Sequence, residues 1–285
     1  MKILLTGASG FIGNFFLTDI KEKYSIWAIS RSSNLKNIES LNYIPIDFSS
    51  KFNFESLPKD IDTIIHLAQS KNYRLFPEKS LDIFSVNCSS TIQLLEYGRE
   101  IGISKFIFAS TGSVYSPNIN PYKENDKIEP NNFYATTKYI SEQLIKSYSD
   151  YFDTTILRFF FVYGPNQKGM LIPNIINSIK EGKTIYLNSK EGMKFTPTYI
   201  DDAVAAIEKS ISLRGNNTLN ISGNETISIR KISETIGKLL GREPIFEYKE
   251  GKEVNYIADN SLMKSLLQIN ETTSVEDGLR KTIGY

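Results

Sequence analysis

TGASGFIG, residues 6–13, follows directly on the apolar run MKILL and places Gly7, Gly10 and Gly13 within eight residues. Glycine loses more backbone freedom on folding than any other residue, so three in one short stretch point to positions where a Cβ would collide with a neighbour. A strand, a G-x-x-G-x-x-G loop and a helix opening near Phe11 form the geometry that directs helix N-terminal amides at a pyrophosphate. In it the first glycine makes the turn, the second admits the phosphates, and the third lets helix and strand pack closely. The spacing predicts a dinucleotide held by Gly7, Gly10, Phe11, Ile12 and Gly13.

Outward from this loop, short apolar runs recur at SIWAIS (25–30), NYIPID (42–47), DTIIHLA (62–68), SKFIFAS (104–110) and TTILRFFFVYG (154–164). Segments of helical period lie between several of them, among them 85–100 and 132–148. Strands that read as continuous apolar runs, alternating with helices, mean right-handed βαβ units around a sheet covered on both faces. The pattern predicts an α/β fold: a Rossmann-like doubly wound parallel sheet with a smaller C-terminal α/β substrate lobe. The expected division is 1–165 for the dinucleotide domain, with a returning segment near 195–212, and 166–194 with 213–285 for the lobe, which would include the strand NTLNIS.

Composition limits the function classes. Thirty-three Lys plus Arg against 32 Asp plus Glu leave a net charge of +1, which does not suit a protein that grips nucleic acid by charge. One cysteine, Cys88, and one histidine, His66, cannot supply a clustered metal site. Both read as packing residues, His66 at a strand end and Cys88 on a buried helix face. No uncharged apolar stretch approaches the length of a membrane span, and the first strand begins at once, so neither membrane insertion nor a signal peptide is expected, and a cytoplasmic location is.

The second strand ends in SRSS, 30–33, where an NAD site usually carries a carboxylate for the ribose 2′-hydroxyl. Arg31 cannot accept that hydrogen bond. A guanidinium suits a 2′-phosphate, with Ser32 and Ser33 in support, so NADP is favoured and NAD is the alternative. Farther on, YATTK (134–138) places Tyr134 and Lys138 on one helix face. A phenol titrates too high for proton transfer at neutral pH, and a neighbouring ammonium together with a nicotinamide cation would stabilise its phenolate. The run STGSVYS (110–116) brings Thr111 and Ser113 to the C-terminal edge of the sheet, where open α/β sheets bind ligands.

TGASGFIG, HLAQS, SVNCSSTIQLLE, STGSVYS, YATTK, LRFFFVYGP, PTYIDDAVAAI and TTSVEDGLRKTI together resemble the extended short-chain dehydrogenase/reductases, in their nucleotide-sugar epimerase/dehydratase branch. The resemblance implies a catalytic trio of Thr111, Tyr134 and Lys138. Tyr134 would be the acid-base, Thr111 would orient the substrate oxygen, and Lys138 would hold the nicotinamide ribose. It places Asp47 and Phe48 at the adenine and Leu67 and Ala68 beside the cofactor, puts Asn87 where the family has a structural or cofactor-near asparagine, with structure the favoured role, and puts Ser113, Phe161 and Lys168 at the substrate. A homodimer built on two helices of the dinucleotide domain is implied by the same analogy.

Sugar dehydratases of this branch follow the threonine with an Asp-Glu pair, and here Gly112 and Ser113 stand there. Epimerases of carbons 3 and 5 use a cysteine near this loop and a histidine farther on, and this chain has neither in place. What remains is chemistry that needs only hydride transfer and one tyrosine. The leading reading is C4 epimerisation of a nucleotide sugar; NADPH-dependent reduction of a 4-keto sugar, reduction of a small carbonyl compound and a non-catalytic NADP sensor are the alternatives. Phe161 stands where many relatives carry an asparagine, and the positions before YIDD and IADNS lack their usual arginines, leaving Lys168, Lys190, Lys194, Lys249 and Lys252 as nearby cations.

Overall fold

The computed structural model describes residues 1–31, 35–36, 38, 41–50, 52–53, 57–116, 120–251 and 254–284. Ser32, Ser33 and Lys252 lie outside them. The chain opens with β1 (Lys2–Thr6), α1 (Phe11–Ile20), β2 (Ser25–Ser30), β3 (Leu41–Pro45) and β4 (Thr63–His66). A helical run follows: α2 (Ser80–Phe84), a π turn over Ser85–Ser89, and α3 (Ser90–Ile101), which Gly102 ends in the left-handed region at φ 72°. Then come β5 (Lys105–Thr111), a 3-10 turn at Gly112–Val114, α4 (Phe133–Lys146) and β6 (Asp153–Phe159).

Among the described residues, seven strands form one sheet in the order β11–β6–β5–β4–β1–β2–β3, where β11 is Asn217–Ile221. β1 pairs in parallel with β2 and β4, as do β2 with β3 and β4 with β5. Strand order reverses beside β1, which is where such sheets open a crevice at their carboxyl ends. Along β5 the whole run KFIFAST is buried, because helices cover both faces. Leu4, Ile64, Phe106 and Phe108 meet Leu94, Leu95 and Ile145 in the core. Each such side chain contributes about 1.5–3 kcal/mol by leaving water.

The chain divides into two compact units. The first takes Met1–Ser116, Lys127–Arg158 and Val204–Leu219; the second takes the described residues of Pro117–Asp126, with Phe159–Ala203 and Asn220–Tyr285. Two details depart from the pattern read along the sequence. NTLNIS becomes β11, an edge strand of the large sheet, rather than a strand of the smaller lobe alone. The apolar run 154–164 is not one strand: β6 stops at Phe159, and Phe161 takes a positive φ of 41° before β7 (Val162–Tyr163). β-carbon crowding makes that conformation rare outside glycine, so it interrupts the strand.

The second unit is built from short pairings. β7 pairs in parallel with β10 (Thr198–Tyr199), and β9 (Lys194–Phe195) runs antiparallel to β12 (Ile227–Ser228). The Phe161 ring lies 4.8 Å from that of Phe195, and Asn220 Nδ2 donates to the Tyr122 carbonyl at 2.8 Å.

Candidate active site

Two of the loop glycines answer to the protein's own backbone. A Cβ on Gly7, at φ 72°, would lie 2.6 Å from the Ala68 nitrogen, and one on Gly13 would lie 2.2 Å from the Gly7 carbonyl oxygen. Gly10 is different, since its added Cβ would meet only the Gly7 oxygen, at 3.1 Å. Gly10 is also the exposed N-cap of α1, in extended conformation with no side-chain cap, and the first turn carries no acidic residue. A helix start left uncapped, with its first amides turned out past a residue that has no side chain, fits the diphosphate of a dinucleotide.

The floor of this loop is set by β4. Thr6 Oγ1 accepts from the Ala68 amide at 3.2 Å and shares a 2.6 Å hydrogen bond with His66 Nδ1, while the Leu67 amide donates to the Thr6 carbonyl at 3.2 Å. His66 Nε2 meets Thr91 Oγ1 at 3.1 Å, and burial drives its pKa down to about 3, so it is a neutral structural group. Asn87 is structural too, accepting from the Ser70 amide at 3.0 Å and donating to Thr137 Oγ1 at 2.9 Å. Cys88 is buried against the Thr137 carbonyl, and burial raises its thiol to about 11.

The ribose-side residues divide. Arg31 stands just past β2 with Nη1 3.7 Å from Asp47 Oδ1, both side chains substantially exposed. Asp47 lies two residues beyond β3 and accepts from the Ser49 amide at 2.9 Å. Phe48, expected at the cofactor, turns its ring into the core, 5.0 Å from that of Phe52 and 6.2 Å from that of His66. Past the end of β3, Ile46 and Phe48 are buried and Asp47 between them is exposed.

Asn132 caps α4 by accepting from the Ala135 amide at 2.9 Å, which fixes Tyr134 in the first turn. The Thr111 hydroxyl interacts with the Tyr134 phenol and also accepts from the Ser113 amide at 3.2 Å. Lys138, one turn on, is buried and donates to the Ala109 carbonyl at 2.7 Å. The structure thus brings Thr111, Ser113, Tyr134 and Lys138 together at the carboxyl end of β5.

The electrostatics differ from the expectation that Lys138 depresses the phenol. Burial raises the Tyr134 pKa, a hydrogen bond with Thr111 opposes that rise, and the neighbouring Tyr73 phenol adds to it. The Lys138 ammonium faces the backbone of β5 instead. Gln69 is a residue that the sequence reading missed: Tyr134 Oη donates to its Oε1 at 3.2 Å, and the Tyr73 ring packs 5.0 Å from that of Tyr134. Its signal was its place just past the end of β4, at the same sheet edge as Thr111. Phe161 and the exposed Lys168 belong to the second unit.

Residues 3–222 match the model of the NAD dependent epimerase/dehydratase family. The chain belongs to that family. It is an NAD(P)-dependent enzyme of the extended short-chain dehydrogenase/reductase type, and the glycine loop, Thr111, Tyr134 and Lys138 all fall inside the matched span. Over all of this chain and 98% of the relative, it is 33% identical to an uncharacterised UDP-glucose epimerase, YtcB, of Bacillus subtilis. It is 30% identical to a UDP-glucuronate 4-epimerase of Thermodesulfobacterium geofontis, over 99% of this chain and 95% of the relative. The crystal structure of a UDP-glucuronic acid 4-epimerase from Bacillus cereus, in complex with UDP-glucuronic acid and NAD, superposes with a TM-score of 0.90 at 28% identity, covering all of this chain and 98% of that one. Among the described residues of this family member, no helix is long and apolar enough to cross a membrane.

Proposed function

We propose that this enzyme inverts C4 of a UDP-linked sugar, with NAD retained through the cycle. The observation that carries the reading is the meeting of the Thr111 hydroxyl with the Tyr134 phenol at the carboxyl end of β5. Bound NAD supplies a nicotinamide that accepts hydride from C4 and returns it.

The chain's own residues manage the proton. Tyr134 takes the proton of the C4 hydroxyl as the carbon is oxidised and returns it to the same oxygen once the keto sugar has turned its other face to the returning hydride. Thr111 holds the same oxygen, and Gln69 receives the phenolic hydrogen when no sugar is present. Because the sequence STGS has no carboxylate after Thr111, the site has no acid there to expel a hydroxyl, which favours epimerisation over dehydration.

NAD is supported by the B. cereus complexes that carry it and by the Asp47 carboxylate 3.7 Å from Arg31. Arg31 alone suits NADP, and Ser32 and Ser33, read with it, lie outside the described residues. In the same reading the uridine sugar contacts Ser113, Phe161 and Lys168, Lys138 holds the nicotinamide ribose, and the enzyme acts as a cytoplasmic homodimer.

The experiment is to release and identify the copurified cofactor, then to incubate the enzyme with UDP-glucuronate and UDP-glucose and follow the C4 epimer by proton NMR. Copurified NAD and C4 exchange without added coenzyme are expected. Stoichiometric consumption of NADPH on a 4-keto sugar, with no exchange on either UDP sugar, would make the enzyme a reductase.

A further inference from the structure

Tyr134, Lys138 and Glu142 recur every four residues along α4, so their side chains rise along one face of the helix. Glu142 and its partner on β6, Arg158, are 0% and 1% exposed. Two charges so far from water cost several kcal/mol each unless they are paired and hydrogen-bonded. Arg158 Nε donates to Glu142 Oε1 at 3.0 Å and Nη2 donates to Oε2 at 2.6 Å, a two-pronged grip. Ser110 Oγ donates to Oε1 at 2.5 Å, and Arg158 Nη1 donates to the Tyr115 hydroxyl at 2.8 Å.

One carboxylate therefore joins β5, α4 and β6, and through Arg158 it reaches the turn that follows Thr111. Lys138 grips the Ala109 carbonyl and Glu142 grips the Ser110 hydroxyl, so two successive rungs of α4 hold the two residues that immediately precede Thr111. Well-packed apolar side chains of similar volume often stabilise a fold at least as well as a buried ion pair does, so stability alone gives no reason for this one.

We propose that Glu142, locked by Arg158, is a positioning residue for the reaction: with Lys138 it clamps the end of β5 to α4 and so delivers Thr111 to Tyr134 in fixed register. This rests on the epimerase reading above. The clamp has an electrostatic consequence. Burial lowers Lys138 to about 8, and Cys88 and Glu142 oppose that fall. The titratable groups that act on the ammonium are Cys88 from the π turn, His66 from β4 and Glu142 from α4, with Arg158 of β6 behind Glu142. Cys88 stays a thiol up to about 11 and His66 stays neutral down to about 3. Glu142 is therefore the anion that sustains the ammonium near neutral pH.

The test is steady-state C4 exchange by Glu142→Gln and by the paired variant Glu142→Gln/Arg158→Met, which removes both buried charges. A fall in kcat on the order of 10- to 100-fold is expected, the usual cost of small misplacement, with KM for the sugar nucleotide nearly unchanged. The basic limb of the kcat–pH profile should move to lower pH, and Glu142→Asp should restore part of both. A folded variant without the carboxylate that keeps wild-type kcat and pH profile overturns the proposal. Should both fail to fold, Ser110→Ala decides: a lowered kcat at unchanged KM supports the clamp, and wild-type kcat removes it. Nitrogen-15 NMR titration of Lys138 reads the charge without turnover, with a lower midpoint expected in Glu142→Gln. A wild-type enzyme inactive on every nucleotide sugar would sink the reaction instead, whatever this titration shows.

Discussion

A β-carbon on Gly13 would stand 2.2 Å from the carbonyl oxygen of Gly7, closer than any carbon and oxygen pack without a bond. The third glycine of the loop is thus required by the fold, and the middle one, Gly10, is the least crowded of the three, its added Cβ 3.1 Å from the Gly7 oxygen. Gly13→Ala is expected to destabilise the protein by about 1–3 kcal/mol, the usual range for overpacking. Gly10→Ala should lower the melting temperature far less while weakening NAD binding. Thermal denaturation with and without NAD, beside calorimetric titration of NAD, separates the two effects.

Replacing Tyr134 by Phe removes the hydroxyl that meets both Thr111 and Gln69. Turnover should drop by about 10²–10⁴-fold, the range for loss of a general acid-base. NAD affinity should stay within a few-fold of wild type, because the glycine loop is untouched. Stopped-assay NMR of the C4 epimer and fluorescence titration of the cofactor measure the two quantities, and full activity in this variant would remove the proposed chemistry.

Gln69→Leu leaves the phenol without its acceptor in the sugar-free enzyme. The hydrogen bond is worth about 1 kcal/mol, so an effect on kcat of roughly fivefold is expected rather than a collapse. An unaltered kcat and an unaltered phenol titration, followed by ultraviolet difference absorbance, would show that Gln69 is a bystander.

Arg31 sits 3.7 Å from Asp47 with both side chains substantially exposed, an ion pair worth little by itself. Arg31→Ala should leave the Kd for NAD within a few-fold and weaken NADP more, because the guanidinium is the group suited to a 2′-phosphate. Equal losses for both coenzymes would show that Arg31 does not discriminate between them.

His66 titrates near 3 in the folded protein because it is buried, against about 6.5 when unfolded. Its folded pKa is depressed, so the unfolded chain binds the extra proton between these values. Stability is full above about 6.5 and falls as the pH drops toward 3, by about 1.4 kcal/mol per unit well below 6.5. Denaturant midpoints at pH 7.5, 6.0 and 5.0 should fall in that order. The protein has one histidine, so its imidazole proton resonances report on it directly, and they should not titrate above pH 5.

The sequence by itself determined what depends on near neighbours along the chain. Apolar runs placed β1, β2, β4 and β5 within a residue or two, helical spacing put Tyr134 and Lys138 on one face, and the glycine spacing marked the strand–loop–helix that opens the fold. His66 and Cys88 read as packing residues, and both are buried. Tertiary structure alone decided which groups meet across long separations: Gln69 at Tyr134, Arg158 on Glu142, Ser110 on the same carboxylate, β11 at the sheet edge, and Phe48 turned into the core. Periodicity records which side of an element a residue faces, because rise and turn per residue are constant. It carries no record of what stands opposite, because that partner is set only when the sheet twists, the helices pack and each buried polar atom finds the hydrogen bond it cannot do without.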